Sequence, residues 1–435
     1  MQICVVGLGK IGLPLAVQYA SKGHRVEGAD VDPRVVELVG AGAEPFPGET
    51  DLAERLGAAV GAGLLSATTD TPAAVGRAEV VVVVVPLFVG PDGRPDFGWM
   101  DAATRSIAAG LRPGTLVVYE TTLPVGTTRG RWAPMLAAGS GLQVGIDVDL
   151  AFSPERVLTG RVFADLRRYP KLVGGLDGRS AERAVDFYRA VLDFDDRPDL
   201  PRPNGVWDLG RAEAAELAKL AETTYRDVNI GLANQFARYA DTVEVDIAQV
   251  IEACNSQPYS HLHQPGIAVG GHCIPVYPQL YLANDPDATV VRSARAANAA
   301  MPRYAVDLLV AALGRPETSA PLDEVGVLVL GAAYRGGVKE TAFSGVFATV
   351  EALASSGARP YVSDPLYDAD ELTALGLTPH RGEPIRAAMI QADHQQYASL
   401  VPADLPGVEV LVDGRRVTDA AAWATTTARR IVIGG

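Results

Sequence analysis

One cysteine of this sequence lies in a setting that could do chemistry. Cys273 follows Gly270, Gly271 and His272 in the segment 269–275, whose glycines permit backbone angles that side chains forbid and leave room for a molecule to approach the sulfur. A charged His272 would stabilise the thiolate, the nucleophilic form of cysteine. The alternative is a small hydrophobic residue buried in a loop, as free cysteines usually are. The segment alone favours that alternative, so the rest of the chain must decide.

The composition excludes several classes of protein. The chain has 435 residues, 48% of them hydrophobic, which suffices for two or three domains with sizeable cores. No apolar run approaches the ~18 residues that a membrane span needs, and we expect no secretion signal. A net charge of −14 without a lysine/arginine cluster argues against nucleic acid or a membrane as partner. Three scattered cysteines predict neither disulfides nor a metal site, and they fit a reducing cytoplasm.

The N-terminal segment carries a dinucleotide-binding pattern. A predicted strand over residues 2–6 precedes Gly7, Gly9 and Gly12, and a predicted helix follows over 13–22. In a βαβ unit the first glycine makes the tight turn, the second admits the pyrophosphate and the third lets the helix pack on the strand. The helix N-terminus then faces the phosphates. This context favours a cofactor site over a purely structural glycine turn.

The next strand indicates which dinucleotide is bound. The predicted strand 25–29 ends at Asp30, whose carboxylate can accept hydrogen bonds from both adenosine ribose hydroxyls and would repel a 2′-phosphate. The sequence therefore predicts NAD rather than NADP. We expect Arg34 to lie over the adenine, and Lys10 and Ile11, between the glycines, to contact the cofactor as well.

Further strands continue the α/β alternation and bring loops to the same edge of the sheet. We predict strands over 79–85, 116–119 and 171–175, and loops at the carboxyl ends of such strands surround the ligand. Two threonine pairs after the second strand are thereby placed near the nicotinamide, although helix capping would explain them equally well. They are Thr121, Thr122, Thr127 and Thr128, and Pro86 follows the first of these strands.

An acid follows another predicted strand. Glu155 comes directly after a proline at the end of the strand that leads to Phe152, where a carboxylate could hold a water molecule. A solvated loop acid is the alternative.

The middle of the chain is helical. No proline interrupts residues 208–243, and the apolar spacing predicts one helix that exceeds the usual length and supplies a subunit interface. Lys219 and Thr223 share one face of it, although a lysine on such a helix is by default solvated. We predict further helices over 246–254 and from Arg292 to about residue 313.

The last part repeats the architecture of the first. A linker over 314–322 precedes a predicted strand, helix and strand over 325–330, 341–355 and 359–363, which form a looser nucleotide-type unit. We therefore predict an α/β fold with two Rossmann-like doubly wound domains, joined by a long central helix and a helical middle domain. The predicted boundaries are 1–205 for the NAD-binding domain, 206–314 for the helical dimerisation domain and 322–435 for the C-terminal Rossmann-like nucleotide-binding domain.

Six motifs in one order resemble a known family over essentially the whole chain. They are GLGKIGLP at 7–14, ETTLPVGTT at 120–128, SPER at 153–156, AKLAE at 218–222, GGHCIP at 270–275 and LGAAYR at 330–335. This series resembles the UDP-glucose/GDP-mannose dehydrogenases. The histidine before the cysteine is similar to the branch that acts on UDP-N-acetylhexosamines, because the UDP-glucose branch usually has serine there.

The resemblance implies a reaction and a set of residues. Such enzymes oxidise a sugar C6 alcohol to a carboxylate with two NAD, through a thiohemiacetal and a thioester on the cysteine. It implies Cys273 as nucleophile, Lys219 as stabiliser of the alkoxide and oxyanion, and Glu155 with Thr122 as the water-holding residues of the first oxidation. The implied cofactor contacts are Gly7, Gly9, Lys10, Ile11, Gly12, Asp30, Arg34, Pro86 and Thr122. The implied substrate contacts are Glu155, Arg156, Lys219, Thr223, Gly270, Tyr277 and Arg335, in a homodimer or higher homo-oligomer.

The sequence departs from the family pattern at three positions. Tyr277 replaces an aspartate four residues after the cysteine, Thr223 replaces an asparagine four residues after the lysine, and Ala342 replaces an arginine that contacts the nucleotide phosphates. These changes leave two alternatives to the four-electron reaction. One is a two-electron or altered-substrate oxidation, and the other is a catalytically silent nucleotide-sugar-binding protein, which the presence of both Cys273 and Lys219 disfavours.

Overall fold

A computed structural model describes residues 1–90, 92–315, 318–424 and 426–435. The chain forms two compact units, the first made of Met1–Glu222 with Gln279–Asn284 and the second of Thr223–Pro278 with Asp285–Gly435. The predicted linker falls partly on residues 316 and 317, which lie outside the described residues. The three predicted domain boundaries stay a prediction.

The first unit alternates strands and helices. Its strands are β1 (Gln2–Val6), β2 (Arg25–Ala29), β3 (Leu65–Thr68), β4 (Val80–Val83), β5 (Phe88–Val89), β6 (Pro95–Asp96), β7 (Leu116–Tyr119), β8 (Asp149–Phe152), β9 (Lys171–Gly175) and β10 (Val206–Arg211). Its helices are α1 (Gly12–Ser21), α2 (Pro33–Gly40), α3 (Leu52–Gly61), α4 (Thr71–Val75), α5 (Gly98–Gly110), α6 (Ala133–Ser140, preceded by a π-helical turn over Thr128–Trp132), α7 (Val162–Arg168) and α8 (Gly178–Val191).

The main sheet of this unit has a crevice at the point where the order of its strands reverses. Its order, among the described residues, is β10-β9-β8-β7-β4-β1-β2-β3, with β8 and β9 antiparallel and the other neighbours parallel. All four residues of the central strand β4 are buried, as expected for a strand covered by helices on both faces. The strand order reverses between β1 and β4, so the crevice opens at the carboxyl ends of these two strands.

The second unit begins within a long helix. Its elements and those at its boundary are α9 (Ala212–Thr242), α10 (Ile247–Asn255), α11 (Tyr277–Asn284), α12 (Thr289–Ala299), α13 (Met301–Ala312), β11 (Gly326–Leu330), α14 (Gly345–Ser355), β12 (Arg359–Ser363), α15 (Ala369–Ala374), β13 (Ala387–Ile390), β14 (Val410–Asp413), α16 (Ala420–Ala424) and β15 (Arg429–Val432), with 3-10 turns over Gln395–Ser399 and Pro402–Asp404. Helices α9 and α11 each begin in one unit and end in the other.

The sheet of the second unit is parallel throughout. Its order is β12-β11-β13-β14-β15, the other common doubly wound arrangement, and it reverses between β11 and β13. Together with the first sheet, this order confirms the predicted α/β class with two doubly wound sheets and a helical middle region.

Three predicted helix boundaries were wrong. The long helix starts at Ala212 rather than at residue 208, because the preceding residues form β10, which pairs with β9. The helix predicted from Arg292 starts earlier, at Thr289, and is interrupted at Ala300, after which a new helix starts at Met301 with Pro302 in its first turn. The helix predicted over 341–355 starts at Gly345, because the Ser344 side chain caps it there.

In the described part of the chain, no helix combines the length and the apolar composition needed to cross a membrane.

Candidate active site

The glycine turn after β1 has the shape of a cofactor cradle. Gly7 has φ of +94°, and a Cβ there would lie 3.2 Å from the backbone of Val84. A Cβ on Gly12 would lie 1.8 Å from the Gly7 carbonyl oxygen, so helix and turn pack without space for a side chain. A Cβ on Gly9 would meet nothing within 4 Å. The free space is therefore at Gly9, where the fingerprint predicts the pyrophosphate.

Asp30 braces this turn and keeps acceptor capacity for a ligand. Its Oδ2 accepts a hydrogen bond from the Leu8 N–H at 2.7 Å, and its Oδ1 accepts one from the Asp32 N–H at 3.0 Å. A carboxylate offers roughly four lone-pair positions, so a half-buried Asp30 can still accept from ribose hydroxyls. These residues fit NAD. Arg34 lies exposed at the start of α2, and its predicted contact with the adenine stays a prediction.

The other predicted cofactor residues flank the same turn. Lys10 is exposed, Ile11 packs against the core of the first unit, and Pro86 is exposed just beyond β4.

The threonine loop after β7 is held by hydrogen bonds of its own hydroxyls, one within the loop and two to other parts of the first unit. Thr121 donates to the Val85 carbonyl at 2.6 Å, and Thr127 donates to the Pro124 carbonyl at 2.6 Å. Thr128 donates at 2.6 Å to the buried carboxylate of Glu216, which also accepts from the Gly126 N–H. Three of the four hydroxyls thus already donate a hydrogen bond within the first unit. Thr122 is buried beside them, and its part in catalysis stays a prediction.

Glu155 is not a freely solvated loop acid, because its side chain is only 11% exposed. Its Oε1 accepts from the N–H groups of Arg156 at 2.6 Å and Val157 at 3.2 Å. Its Oε2 accepts from the Lys171 ammonium at 2.8 Å, and the same ammonium donates to Glu120 at 2.6 Å. The guanidinium of Arg156 turns away and pairs with Glu222 at 2.8 Å.

Burial and charge push the pKa values of these two carboxyls apart. Burial raises the pKa of Glu120 to about 7, against the opposing effect of Lys171. Burial alone would also raise the pKa of Glu155, but the charge and hydrogen bond of Lys171 outweigh it and lower the pKa. Two neighbouring acids with diverging pKa values are typical of functional sites.

Lys219 is also removed from solvent. Its side chain is buried on α9, 5% exposed, which contradicts the default of a solvated lysine. Lys219 lies in the first unit, whereas Thr223, one turn later and buried, belongs to the second. Cys273 belongs to the second unit as well, so the predicted approach of Lys219 to the sulfur stays a prediction.

The glycines before Cys273 serve close packing within the second unit. A Cβ on Gly270 would lie 2.7 Å from the Cβ of Tyr334, and one on Gly271, at φ of +91°, would lie 3.0 Å from the Tyr334 ring. The Gly271 N–H also donates to the Ala342 carbonyl at 3.1 Å. The protein itself therefore fills the space that side chains would take at these glycines, and the predicted approach of a ligand to the sulfur past Gly270 stays a prediction.

The cysteine and its neighbours differ in access to solvent. Cys273 is half-buried, and its carbonyl accepts from the Tyr277 N–H at 2.9 Å as α11 begins. His272 is exposed, with its Nε2 atom 3.6 Å from the Glu340 carboxylate. Cys4, by contrast, is buried in β1, and burial raises its thiol pKa to about 12.

Arg335 lies exposed over the Tyr334 ring, and its Nε donates to the Tyr334 hydroxyl at 3.2 Å. This arrangement keeps the guanidinium at the surface of the loop after β11.

Two polar residues of this region escaped prediction. Lys171 opens a strand that reads as apolar, and Glu120 follows another, and both are buried. The sequence does show a charged residue at the end of each apolar strand, which could have marked both as buried, but it does not show that Lys171 and Glu120 contact each other. The described residues contain no group of three or more histidine, cysteine or acidic side chains able to hold a metal ion.

Comparison with known proteins identifies the family. Residues 1–192 match the NAD binding domain of the UDP-glucose/GDP-mannose dehydrogenase family, and residues 213–300 match its central domain. The chain is 33% identical over 425 residues to a UDP-N-acetyl-D-mannosamine dehydrogenase of Pyrococcus horikoshii, covering 96% of both chains. It is 30% identical over 430 residues to the enzyme of that name from Escherichia coli strain K12, covering 95% of this chain and 98% of the other.

Solved structures agree with the sequence matches. The structure of the Pyrococcus horikoshii UDP-D-ManNAc dehydrogenase superimposes with a TM-score of 0.86 at 31% identity, covering 100% of this chain and 99% of the other. A UDP-glucose dehydrogenase from Pyrobaculum islandicum superimposes with a TM-score of 0.82 at 29% identity, covering 97% and 98%. The resemblance seen in the six motifs is confirmed: the chain belongs to the UDP-glucose/GDP-mannose dehydrogenase family and is an NAD-dependent nucleotide-sugar dehydrogenase.

Proposed function

We propose that this enzyme oxidises the C6 alcohol of a UDP-N-acetylhexosamine to the uronate, in two NAD-dependent steps through a covalent adduct on Cys273. The observation that carries the choice of substrate is the similarity over 96% of the chain to a UDP-N-acetyl-D-mannosamine dehydrogenase. The histidine before Cys273 agrees with it, since the related UDP-glucose branch usually has serine there.

The residues divide the reaction into steps. The C6 hydroxyl gives up its proton, by way of a water held by Glu155 and Thr122, as the first hydride leaves. The Cys273 thiolate then adds to the aldehyde, which gives a thiohemiacetal that still bears one hydrogen on C6. Loss of that hydrogen as the second hydride leaves a thioester, which water cleaves to free thiol and carboxylate. NAD supplies the hydride acceptor for each oxidation.

Lys219 supplies the positive charge for the oxygen on C6. An ammonium group aimed at an oxygen that becomes negative is worth more in a desolvated site than in water. The burial of Lys219 supports this role. The half-buried state of Cys273 supports its role as nucleophile, because a substrate must be able to reach the sulfur.

The hydrolysis step is where this chain departs from the family. Tyr277 stands where an aspartate is expected, and a phenol hydroxyl is a weak base that donates a hydrogen bond instead of taking a proton from water. A missing general base costs about 10²–10⁴-fold, so the thioester on Cys273 should accumulate. A second candidate function is a two-electron oxidation in which the aldehyde leaves before Cys273 adds to it, an alternative that the changes at Tyr277, Thr223 and Ala342 leave open.

The test measures NADH formed per sugar on UDP-N-acetylmannosamine, UDP-N-acetylglucosamine and UDP-glucose. Two NADH on an acetylated sugar support the proposal, one indicates release of the aldehyde, and none indicates a catalytically silent protein. Cys273→Ser should bind NAD normally but stop at or before the aldehyde, since a serine hydroxyl is a poor nucleophile without activation. Cys254→Ser, at a half-buried cysteine of the same unit, is the matched control. Uronate production by Cys273→Ser at the parental rate would contradict the mechanism.

Assembly and location complete the proposal. Exposed apolar residues recur along the part of α9 in the second unit, including Leu232, Phe236 and Tyr239, and an apolar stripe of this kind favours a homodimer or higher homo-oligomer. Light scattering at micromolar concentration checks this.

A thiol nucleophile has to stay reduced, which supports a cytoplasmic location.

A further inference from the structure

A buried cluster of charged and phenolic side chains lies beneath Glu155 in the first unit. Its centre is the Lys171 ammonium on β9, which lies 2.6 Å from Glu120 and 2.8 Å from Glu155. The Oε1 of Glu120 accepts from the hydroxyls of Tyr188 at 2.5 Å and Tyr19 at 3.2 Å. The steps proposed above use none of these residues except Glu155.

The four elements around this cluster supply its charges. Lys171 comes from β9, Glu120 follows β7, and the two tyrosines come from α1 and α8. The tyrosine hydroxyls are buried and act as donors, because burial and the Glu120 charge raise their pKa values well above the ordinary one. The cluster therefore holds two acids against one cation. Arg156 does not balance them, because its guanidinium pairs with Glu222.

A buried cluster with an excess of acidic groups lowers the stability of the fold. Removing ions from water is unfavourable, and a cluster of apolar side chains would often be at least as stable. We therefore expect such a cluster to have a function other than stabilising the fold. The cluster reaches the partly exposed Glu155 through the Lys171 ammonium, 2.8 Å from its Oε2 atom, and through the neighbouring carboxyl of Glu120. Lys171 is the cation that both carboxylates share, so a change at Lys171 acts directly on Glu155.

We propose that Lys171 is a positioning residue for Glu155: it holds the Oε2 atom in place and keeps the carboxylate ionised, while Glu120 sets how much of the lysine charge Glu155 receives. This inference rests on the proposed role of Glu155 in the first oxidation.

Glu120 acts on the cluster by gaining or losing its own proton. Because its carboxyl has a pKa of about 7, it is neutral below that pH, and Lys171 then serves Glu155 alone. Above that pH the ionised Glu120 shares the lysine charge, so Glu155 becomes the stronger base. Activity that depends on Glu155 as a base should therefore gain from Glu120 only on the alkaline side of neutrality.

The test compares the acid limb of the pH profile of kcat/KM, which reports the essential base of the free enzyme. Lys171→Met alone leaves two buried carboxylates without their cation, which destabilises the folded protein whatever their part in catalysis. The informative variant is the double substitution Lys171→Met with Glu120→Gln, which removes the cation from Glu155 without leaving Glu120 as an unpaired carboxylate. Its partner is Glu120→Gln, which keeps the cation.

Each variant has a defined expectation. The double variant should move the acid limb to higher pH by about 1 unit or more relative to Glu120→Gln, as expected when an acid loses a close cation. Glu120→Gln should keep the parental limb and lose activity only above about pH 7. Lys171→Arg, which keeps the charge, should stay near the parental limb. Lys22→Met, which removes a lysine–carboxylate contact of 2.6 Å on the surface of the same unit, is the control and should change nothing.

Two outcomes separate this inference from the function on which it rests. If Glu155→Gln leaves the pH profile unchanged, the proposed role of Glu155 fails. If Glu155→Gln abolishes the acid limb but the folded double variant keeps the parental limb, only the positioning role of Lys171 is overturned. Circular dichroism and urea unfolding of each variant show that the comparison is made between folded proteins.

Discussion

Two glycine turns lie at equivalent places in the two sheets but differ in how much room and hydrogen-bonding capacity they leave for a ligand. Gly7 follows β1 with φ of +94°, and Gly331 follows β11 with φ of +105°. Each lies where the strand order reverses, and each is followed by an acid directly after the neighbouring strand, Asp30 after β2 and Asp364 after β12. Topology alone would therefore predict the same ligand chemistry at both turns.

The two acids differ in how much of their acceptor capacity remains. The half-buried Asp30 accepts from two backbone N–H groups. Asp364 is buried, accepts from the N–H groups of Ala332 at 2.7 Å, Ala333 at 3.1 Å and Leu366 at 2.8 Å, and contacts the His394 Nε2 atom at 3.1 Å. The protein has thus saturated the second acid and left the first available to a ligand.

The helices after the two turns differ in the same sense. Helix α1 begins at Gly12, five residues after Gly7, whereas α14 begins at Gly345, fourteen residues after Gly331. Only the first turn therefore brings a helix N-terminus directly to the crevice, where its positive end favours phosphate. A nucleotide in the second unit would have to be held by other groups, such as the exposed Arg335.

The largest effect should come from removing the saturated acid. Asp364→Ala leaves three backbone donors and His394 without their acceptor, which we expect to lower the free energy of unfolding by about 3–5 kcal/mol. Asp30→Ala should cost clearly less, because water can reach the groups that it leaves. Urea unfolding measures both, and hydrogen exchange shows which unit opens. Equal losses would mean that the two acids do not differ as described.

A smaller effect is expected from substitutions at the first residues of α1 and α14, and NAD binding should distinguish the two. Gly12→Ala brings a Cβ within 1.8 Å of the Gly7 carbonyl oxygen, whereas in Gly345→Ala the Cβ meets the side chains of Ala268 and Gln391. Both variants should lose roughly 1–3 kcal/mol from overpacking. Only Gly12→Ala should also weaken NAD binding, because it displaces the turn itself. Calorimetric titration with NAD, on variants shown to be folded, checks this. Weaker NAD binding by Gly345→Ala would contradict the division of roles.

The sequence predicted the first turn well because its signal is local. Three glycines within six residues and an acid at the end of the next strand are enough to define that site. The Lys171–Glu120 pair could not be predicted, because its partners are 51 residues apart and meet only when β7 and β9 take their places in the sheet. Likewise, nothing in the sequence beside Asp364 marks His394 as its partner, because the contact depends on where the loop after β13 lies.

Helix boundaries failed for a related reason. The residues before Ala212 contain no proline to exclude a helix, but they pair with β9 and form a strand, and Gly210 among them adopts φ of +78°. The glycines beside Cys273 were correctly identified as special, but their neighbour Tyr334 is contributed by a distant loop. The glycine pattern therefore indicated the positions at which the fold has no room for a side chain. It did not indicate that Tyr334 occupies that room.

The smallest effect concerns cofactor choice and depends on the charge of Asp30. The parent should prefer NAD over NADP by tenfold or more in kcat/KM, equivalent to about 1.4 kcal/mol, because a carboxylate beside the ribose repels a 2′-phosphate. Asp30→Asn keeps an oxygen for the Leu8 N–H but removes the charge, so the preference should shrink. Asp364→Asn, the same change at the saturated acid, should leave it as in the parent. Equal efficiency of the parent with both cofactors would show that Asp30 does not face the ribose. If Asp30→Asn still prefers NAD over NADP as strongly as the parent, the preference comes from the shape of the turn and not from the charge of Asp30.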